Sequence, residues 1–119
     1  MQHFQVTFSD QSMGELNQLP ITVQMPLIEQ FSALSERDFR RGREDIGRFE
    51  RGGRTFYRLR AGEYRIYFEA QGDVLHAHYI LHSHTLADFI FRTGLPYKEE
   101  RLLEQDQSFW KYLESLARD

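Results

Sequence analysis

The pattern of hydrophobic and polar positions changes period several times along this chain, and each change marks an expected element. Residues 3–8, HFQVTF, alternate every second position and put Phe4, Val6 and Phe8 on one side, as a half-buried strand does. Ser9-Asp10 then offers an N-cap, and 10–19 reads as a short helix stopped by Leu19-Pro20. A second helical stretch is expected over about 21–35, with Leu27, Ile28, Phe31 and Leu34 on one face. Pro26 has no N–H to donate, so it must open the regular part of that helix or kink it. Residues 35–47, SERDFRRGREDIG, are polar and glycine-punctuated, and a loop is expected there.

From 48 to 84 the period returns to two, and a β-meander is expected. Gly52-Gly53, Ala61-Gly62-Glu63 and Gln71-Gly72-Asp73 are turn signals separating RTFYRLR, EYRIYFE and VLHAHYILHSH. Strict alternation sets Tyr57 and Leu59 against Phe56, Arg58 and Arg60, and Tyr64, Ile66 and Phe68 against Arg65, Tyr67 and Glu69. In the last strand it sets Tyr79 and Leu81 against His76, His78, Ile80, His82 and His84. One side is greasy, as expected where helices cover one face of an antiparallel sheet. The other gathers Arg58, Arg60, Arg65, Tyr67 and four histidines, the main functional clue in the chain. A helix over 86–93 is stopped by Gly94-Leu95-Pro96. A last helix over about 99–118 carries Leu102, Phe109, Leu113 and Leu116 in one stripe, with Leu103, Trp110 and Ala117 beside it. The fold class is α+β.

Length narrows this to a single domain over 1–119 with one core. No apolar run approaches the roughly 20 residues that cross a bilayer, and MQHFQVTF lacks a signal-peptide pattern, so a cytoplasmic protein without a membrane partner is expected. The absence of cysteine excludes disulfides, thiolate metal sites and a cysteine nucleophile. Charge changes the picture more. Residues 1–36 hold four acids and no Lys or Arg, 37–65 hold ten arginines against five acids, and 99–119 carry six acids against three basic residues. Arginine offers a planar fork of donors suited to phosphate or carboxylate. A salt-bridged, solvated hairpin is the plainer account of the same run. The net charge of −3 argues against strong nonspecific nucleic-acid binding.

Other groups carry less. The histidines at 76, 78, 82 and 84 invite a metal reading, but no spacing supplies an acidic third ligand, so no metal and no cofactor is expected. Asp45 and Glu50, or Glu99 and Glu100, sit in charge-mixed stretches and read as solvated surface. The glycine pairs read as turns, not a phosphate cradle. Arg92 suits a helix C-terminus, and Trp110 reads as a packing residue.

The order strand, two helices, three-stranded meander, helix, together with YRLRAGEYRIYFE, resembles the RelE/ParE toxin superfamily. The matching core is Tyr57-Arg58-Leu59-Arg60 followed by Gly62-Glu63-Tyr64-Arg65-Ile66, and the resemblance covers about 3–92. It implies an N-terminal strand and two helices, then an antiparallel meander with helices on one face, followed here by a C-terminal helical extension over about 97–118. Members of the RelE branch cut messenger RNA in the ribosomal decoding site with basic side chains of this sheet, where cation placement supplies most of the stabilisation. By that resemblance Arg65 is the phosphate clamp, Arg58 its electrostatic support, and His84 or His82 the acid or base; the binding face is Arg58, Arg60, Arg65, Tyr67 and His82. The catalytic set is incomplete: Thr85 stands where the family usually has an arginine, Phe91 where some members carry an aromatic hydroxyl, and Phe56 where a lysine is frequent.

The expectation is a noncatalytic binding or inhibitory module acting through the arginine-rich face on an antitoxin-like protein, another protein or a ribonucleoprotein. A metal-independent, ribosome-dependent endoribonuclease that represses translation, and a ParE-like gyrase inhibitor, remain as alternatives. The acidic C-terminal helix is expected either to mask the arginine face in cis, as an antitoxin segment masks it in trans, or simply to complete the core. Oligomeric state stays open.

Overall fold

The computed structural model describes residues 4–93 and 106–116. Its sheet has five strands: β1 (Gln5–Phe8), β2 (Ile46–Arg51), β3 (Arg54–Ala61), β4 (Tyr64–Gln71) and β5 (Val74–His82). Their spatial order is β1-β5-β4-β3-β2. The last four form an antiparallel meander, and β1 lies parallel to β5 at one edge. Two-residue turns make the meander possible. At the first, Gly52 and Gly53 have φ of +58° and +77°, the double positive φ of the tight turn whose twist matches paired strands.

Helices α1 (Asp10–Gln18) and α2 (Ile21–Ser32) follow β1. The Ser9 hydroxyl caps α1, accepting from the Ser12 N–H at 3.2 Å. The same turn completes the sheet edge where β1 stops. Ser9 Oγ donates to the His78 carbonyl at 2.5 Å, and the Gln11 amide exchanges two hydrogen bonds with the Ile80 backbone at 3.0 and 3.2 Å. Side chains thus satisfy β5 backbone groups that would otherwise need another strand. Pro26 lies inside α2 and does not delimit it. Both Pro26 and Thr22, whose carbonyl loses its partner, are exposed, so solvent can take that bond.

Three expectations are corrected. The stretch 35–47 is not all loop: it contains α3 (Glu36–Arg41) and the start of β2. Ser35 and Asp38 form a capping box, with Asp38 Oδ2 accepting from the Ser35 N–H at 2.8 Å. Glu36 and Asp38 in the first turn and Arg40 and Arg41 in the last suit the helix dipole. Phe39 anchors the helix, its ring 4.7 Å from Tyr57 and 5.8 Å from Phe4. Second, the fourth expected strand ends at His82, and α4 (Ser83–Thr93) begins three residues before the expected 86, so His84 is helical. Third, the alternation of β5 breaks. Phe68 pairs with Ala77 but Tyr67 with Tyr79, leaving His78 as the extra residue of a β-bulge. Beyond it every side chain changes face. Ile80 joins the greasy side opposite Ile66, and Tyr79 and Leu81 join the arginine side opposite Tyr67 and Arg65.

The sheet therefore has two covered faces. On one, Leu59, Ile66, Phe68, Leu75, Ala77 and Ile80 pack against Leu16, Leu27, Phe31 and Leu34 from the N-terminal helices and the segment after them. On the other, Phe49, Phe56, Tyr67 and Leu81 pack with Leu86 of α4 and with Phe109, Trp110 and Leu113 of α5 (Gln107–Leu116). The stop at Gly94-Leu95-Pro96 and the parts of the last helix expected before 106 and after 116 lie outside the described residues. No helix among the described residues is long and apolar enough to cross a membrane.

Candidate binding face

Alternation and register put Arg58, Arg60, Arg65 and Tyr67 on the same face, as expected. Arg58 lies between Gly47 of β2 and Tyr67 of β4, which in turn faces Tyr79 of β5. One step along, Arg60 faces Arg65, and Arg65 faces Leu81. Like charges directly opposite repel, and the two side chains resolve this differently. Arg60 stays exposed. Arg65 is 7% exposed and turns its Nη1 back onto the Gly62 and Tyr64 carbonyls, both at 3.0 Å.

Arg58 is 5% exposed and donates from Nη1 to the Asp45 carbonyl at 3.4 Å. Its guanidinium lies across Gly47, where an added Cβ would sit 2.6 Å from Nη2. Glycine at 47 leaves room for the guanidinium end above it, which a larger residue would have to push aside; its backbone has no positive φ. Tyr67 is fully buried, its ring 5.8 Å from Phe109 and 6.3 Å from both Phe49 and Trp110. It is a core residue of this face, not an exposed contact.

The bulge separates the remaining candidates. His82 faces Tyr64, on the side opposite Arg65, with ring centroids 5.0 Å apart. Its Nδ1 accepts from the His84 N–H at 3.0 Å at the start of α4, leaving Nε2 to donate to Glu63 Oε2 at 3.3 Å. The His84 ring stacks on His82 at 4.9 Å. Both histidines are thus grouped with each other and not with the arginines.

A second charged cluster occupies the opposite end of the same face, and the sequence did not single it out. Glu69 is 5% exposed yet ionised. Burial alone works to raise its pKa, but hydrogen bonds from Arg54 and His78 outweigh that and hold it below the ordinary carboxylate range. Arg54 binds it in a two-pronged pair through Nε and Nη2, and His78 Nε2 lies 2.6 Å from Oε1. Neighbouring His76 contacts Thr7 Oγ1 at 2.7 Å; burial first, then the charge of His78, lowers its pKa. The expected grouping of His76 and His78 on the arginine side holds, because both precede the shift. A pairing signal was present in the alternation, which put Glu69 and both histidines on one side. Among the described residues no group of three or more metal-ligating side chains converges.

α5 lies on this face through Trp110, whose ring is 5.0 Å from Phe56 and 5.3 Å from Phe49. The Arg51 guanidinium sits 5.2 Å over the Trp110 ring and 3.7 Å from Glu114. The helix is thus attached mainly by aromatic packing, with one partly exposed ion pair at its edge. Over its described residues the last helix completes the core of this face, the second of the two expectations for it.

No protein-family model matches the sequence, and no curated protein matches it. Solved structures do. A chain of the archaeal RelE–RelB complex from Pyrococcus horikoshii OT3 is similar at 22% identity with a TM-score of 0.55, over 69% of this chain and 96% of that one. A chain of the toxin–antitoxin complex RelBE2 from Mycobacterium tuberculosis is similar at 18% identity with a TM-score of 0.52, over 67% of this chain and 98% of that one. The strand order, the meander and the likeness to both structures agree: this chain has the RelE-like toxin fold.

Proposed function

We infer that the chain is a noncatalytic binding or inhibitory module on a RelE-like scaffold. Its partner is an antitoxin-like protein, another protein or a ribonucleoprotein, met through the arginine-bearing sheet face. The observation that carries this reading is the state of Arg58 and Arg65. Both are buried and bent onto backbone carbonyls, whereas a phosphate clamp needs guanidinium donors directed at the ligand. Two further features support it. Thr85 has no cationic group to add, and the bulge turns His82 away from Arg65, so among the described residues no imidazole stands beside Arg58 and Arg65 as acid or base. Arg60 is the exposed member of the set and the contact through which a partner is engaged. Both similar structures are complexes with a RelB antitoxin or its counterpart in RelBE2, which favours a protein partner that lies on the scaffold.

The test is inducible expression with growth measurement, followed by quantitative capture with wild type and Arg60→Glu. Harmless expression, with one stoichiometric partner lost on charge reversal at Arg60, supports the reading. Codon-phased messenger cleavage on induction, abolished by Arg65→Ala in folded protein, contradicts it and restores the endoribonuclease.

A further inference from the structure

The two edges of the sheet end differently. At one, β1 has four residues, and the Ser9 and Gln11 side chains satisfy the β5 backbone beyond it. At the other, β2 runs for six residues without proline and in unbroken register with β3. Among the described residues no strand pairs with its outer side. One bond fixes which backbone groups face that side. The Arg60 N–H donates to the Asp45 carbonyl at 2.8 Å, so Asp45 and Arg60 are a hydrogen-bonded pair. Such pairs alternate along an antiparallel ladder, so Gly47, Phe49 and Arg51 turn their backbone groups to β3, and Ile46, Arg48 and Glu50 turn theirs away. The Ile46 N–H is bonded to the Arg43 carbonyl at 3.0 Å. The groups of Arg48 and Glu50 meet no backbone partner among the described residues.

Charge on an edge strand commonly serves to keep other strands off. A run of one sign does that, because it repels its own copy. On β2 the signs are opposite and two residues apart, on side chains 66% and 71% exposed that meet within the chain only at 3.7 Å. Two copies of β2 laid antiparallel about a twofold axis at Phe49 set Arg48 of each opposite Glu50 of the other. These are the residues whose backbone groups face out, so each Arg48–Glu50 pair also exchanges its two N–H···O bonds. Sliding by two residues sets Arg48 opposite Arg48 or Glu50 opposite Glu50, and both contacts repel. Hydrogen-bond phase and charge thus select the same register. Phe49, on the axis, is fixed by Trp110 and Phe56 of its own chain, with ring centroids at 5.3 and 6.2 Å. Arg51, which falls opposite Gly47 of the second copy, is already paired with Glu114 and brings no bare cation towards Arg58.

We propose that β2 is a self-association edge: two copies of this chain pair β2 with β2, antiparallel and centred on Phe49, into one sheet continuous across both. The contact presents the same patch on each copy, as a twofold dimer requires. Main-chain bonds supply the affinity, and the crossed Arg48–Glu50 pairs supply the selection for a second copy over other strands. One strand pair buries less than a permanent dimer interface, so the dimer is weak, half formed at about 10–100 µM. The proposal is independent of the partner reading, since it involves neither Arg60 nor Arg65.

Sedimentation velocity of the full chain from about 5 µM to about 0.5 mM measures the dimer. Wild type should pass from monomer to dimer over that range. Arg48→Glu sets acid against acid in both crossed pairs, and Glu50→Arg sets base against base. Each should weaken the dimer about tenfold or more. Mixed in equal amounts, the two variants are complementary again and should form a heterodimer about as tight as the wild-type dimer. The double variant Arg48→Glu/Glu50→Arg should regain self-association for the same reason. These rescues separate lost complementarity from a lost fold, and circular dichroism of each variant checks the fold directly. Three results overturn the proposal: wild type still monomeric at about 0.5 mM, Arg48→Glu as dimeric as wild type, or a mixture of the single variants that associates no better than either alone.

Discussion

The two faces of the sheet solve the same packing problem with different materials. The face under α1 and α2 is aliphatic and aromatic, and among the described residues it buries no charged side chain. The face under α4 and α5 buries three, Arg58, Arg65 and Glu69, among aromatic rings. Ionic groups are costly to bury, and well-packed apolar residues replace them at no loss of stability in many proteins. The first face is therefore the one that builds the domain. The second keeps chemistry that stability alone does not call for, which is why the proposed binding function falls on it.

The comparison is sharpened first by removing a large ring from the apolar face. Phe31, fully buried and 5.1 Å from the Phe68 ring, should lose about 3–5 kcal/mol on Phe31→Ala, measured by urea denaturation. An effect below 1 kcal/mol would mean that this face is not the main core. Next comes Gly47→Ala on the charged face. The added methyl must displace the Arg58 guanidinium, with an expected loss of about 1–3 kcal/mol that is relieved in the double variant Gly47→Ala/Arg58→Ala. A strictly additive double variant would sink the stated reason for the glycine.

Glu69 gives a pH signature. Its folded pKa lies below the unfolded value, so its stabilisation is complete above the ordinary glutamate range and disappears as pH falls through the lower folded value. Asp45, held low mainly by its hydrogen bond from Arg43, behaves in the same sense. Wild-type stability should therefore decline in acid, and Glu69→Gln should flatten part of that decline while lowering stability at neutral pH by about 1–3 kcal/mol. Parallel pH profiles for both proteins would contradict the assigned network. The smallest effect belongs to the rim of α5: Glu114→Gln removes a partly exposed ion pair and should shift stability by less than about 1 kcal/mol, diminishing further in high salt.

Much of the fold was legible because it follows local rules. The period of two in the meander, the glycine turns and the Ser9 cap each act over a few residues, and each appears where expected. The arginine face followed from the same alternation. What escaped depends on events that the period cannot register. One inserted residue at His78 reversed Ile80, Leu81 and His82, and with them the proposed neighbourhood of Arg65. The helix α3 is short and polar, and only its Ser35–Asp38 capping box announced it. The burial of Arg58 and Arg65 is a tertiary outcome: their charge suggested exposure, and the carbonyls of the adjoining turns supplied the alternative. The cluster around Glu69 joins residues from β3, β4 and β5, a distance in sequence that no motif spans.

The central claim is that the arginines of this face hold a binding surface together and do not cut RNA. Primer extension on messenger RNA after induction tests it most directly, with wild type, Arg65→Ala and uninduced cells compared at the same growth stage. The account predicts identical 5′ ends in all three. New codon-phased ends in wild type that disappear with Arg65→Ala would contradict it.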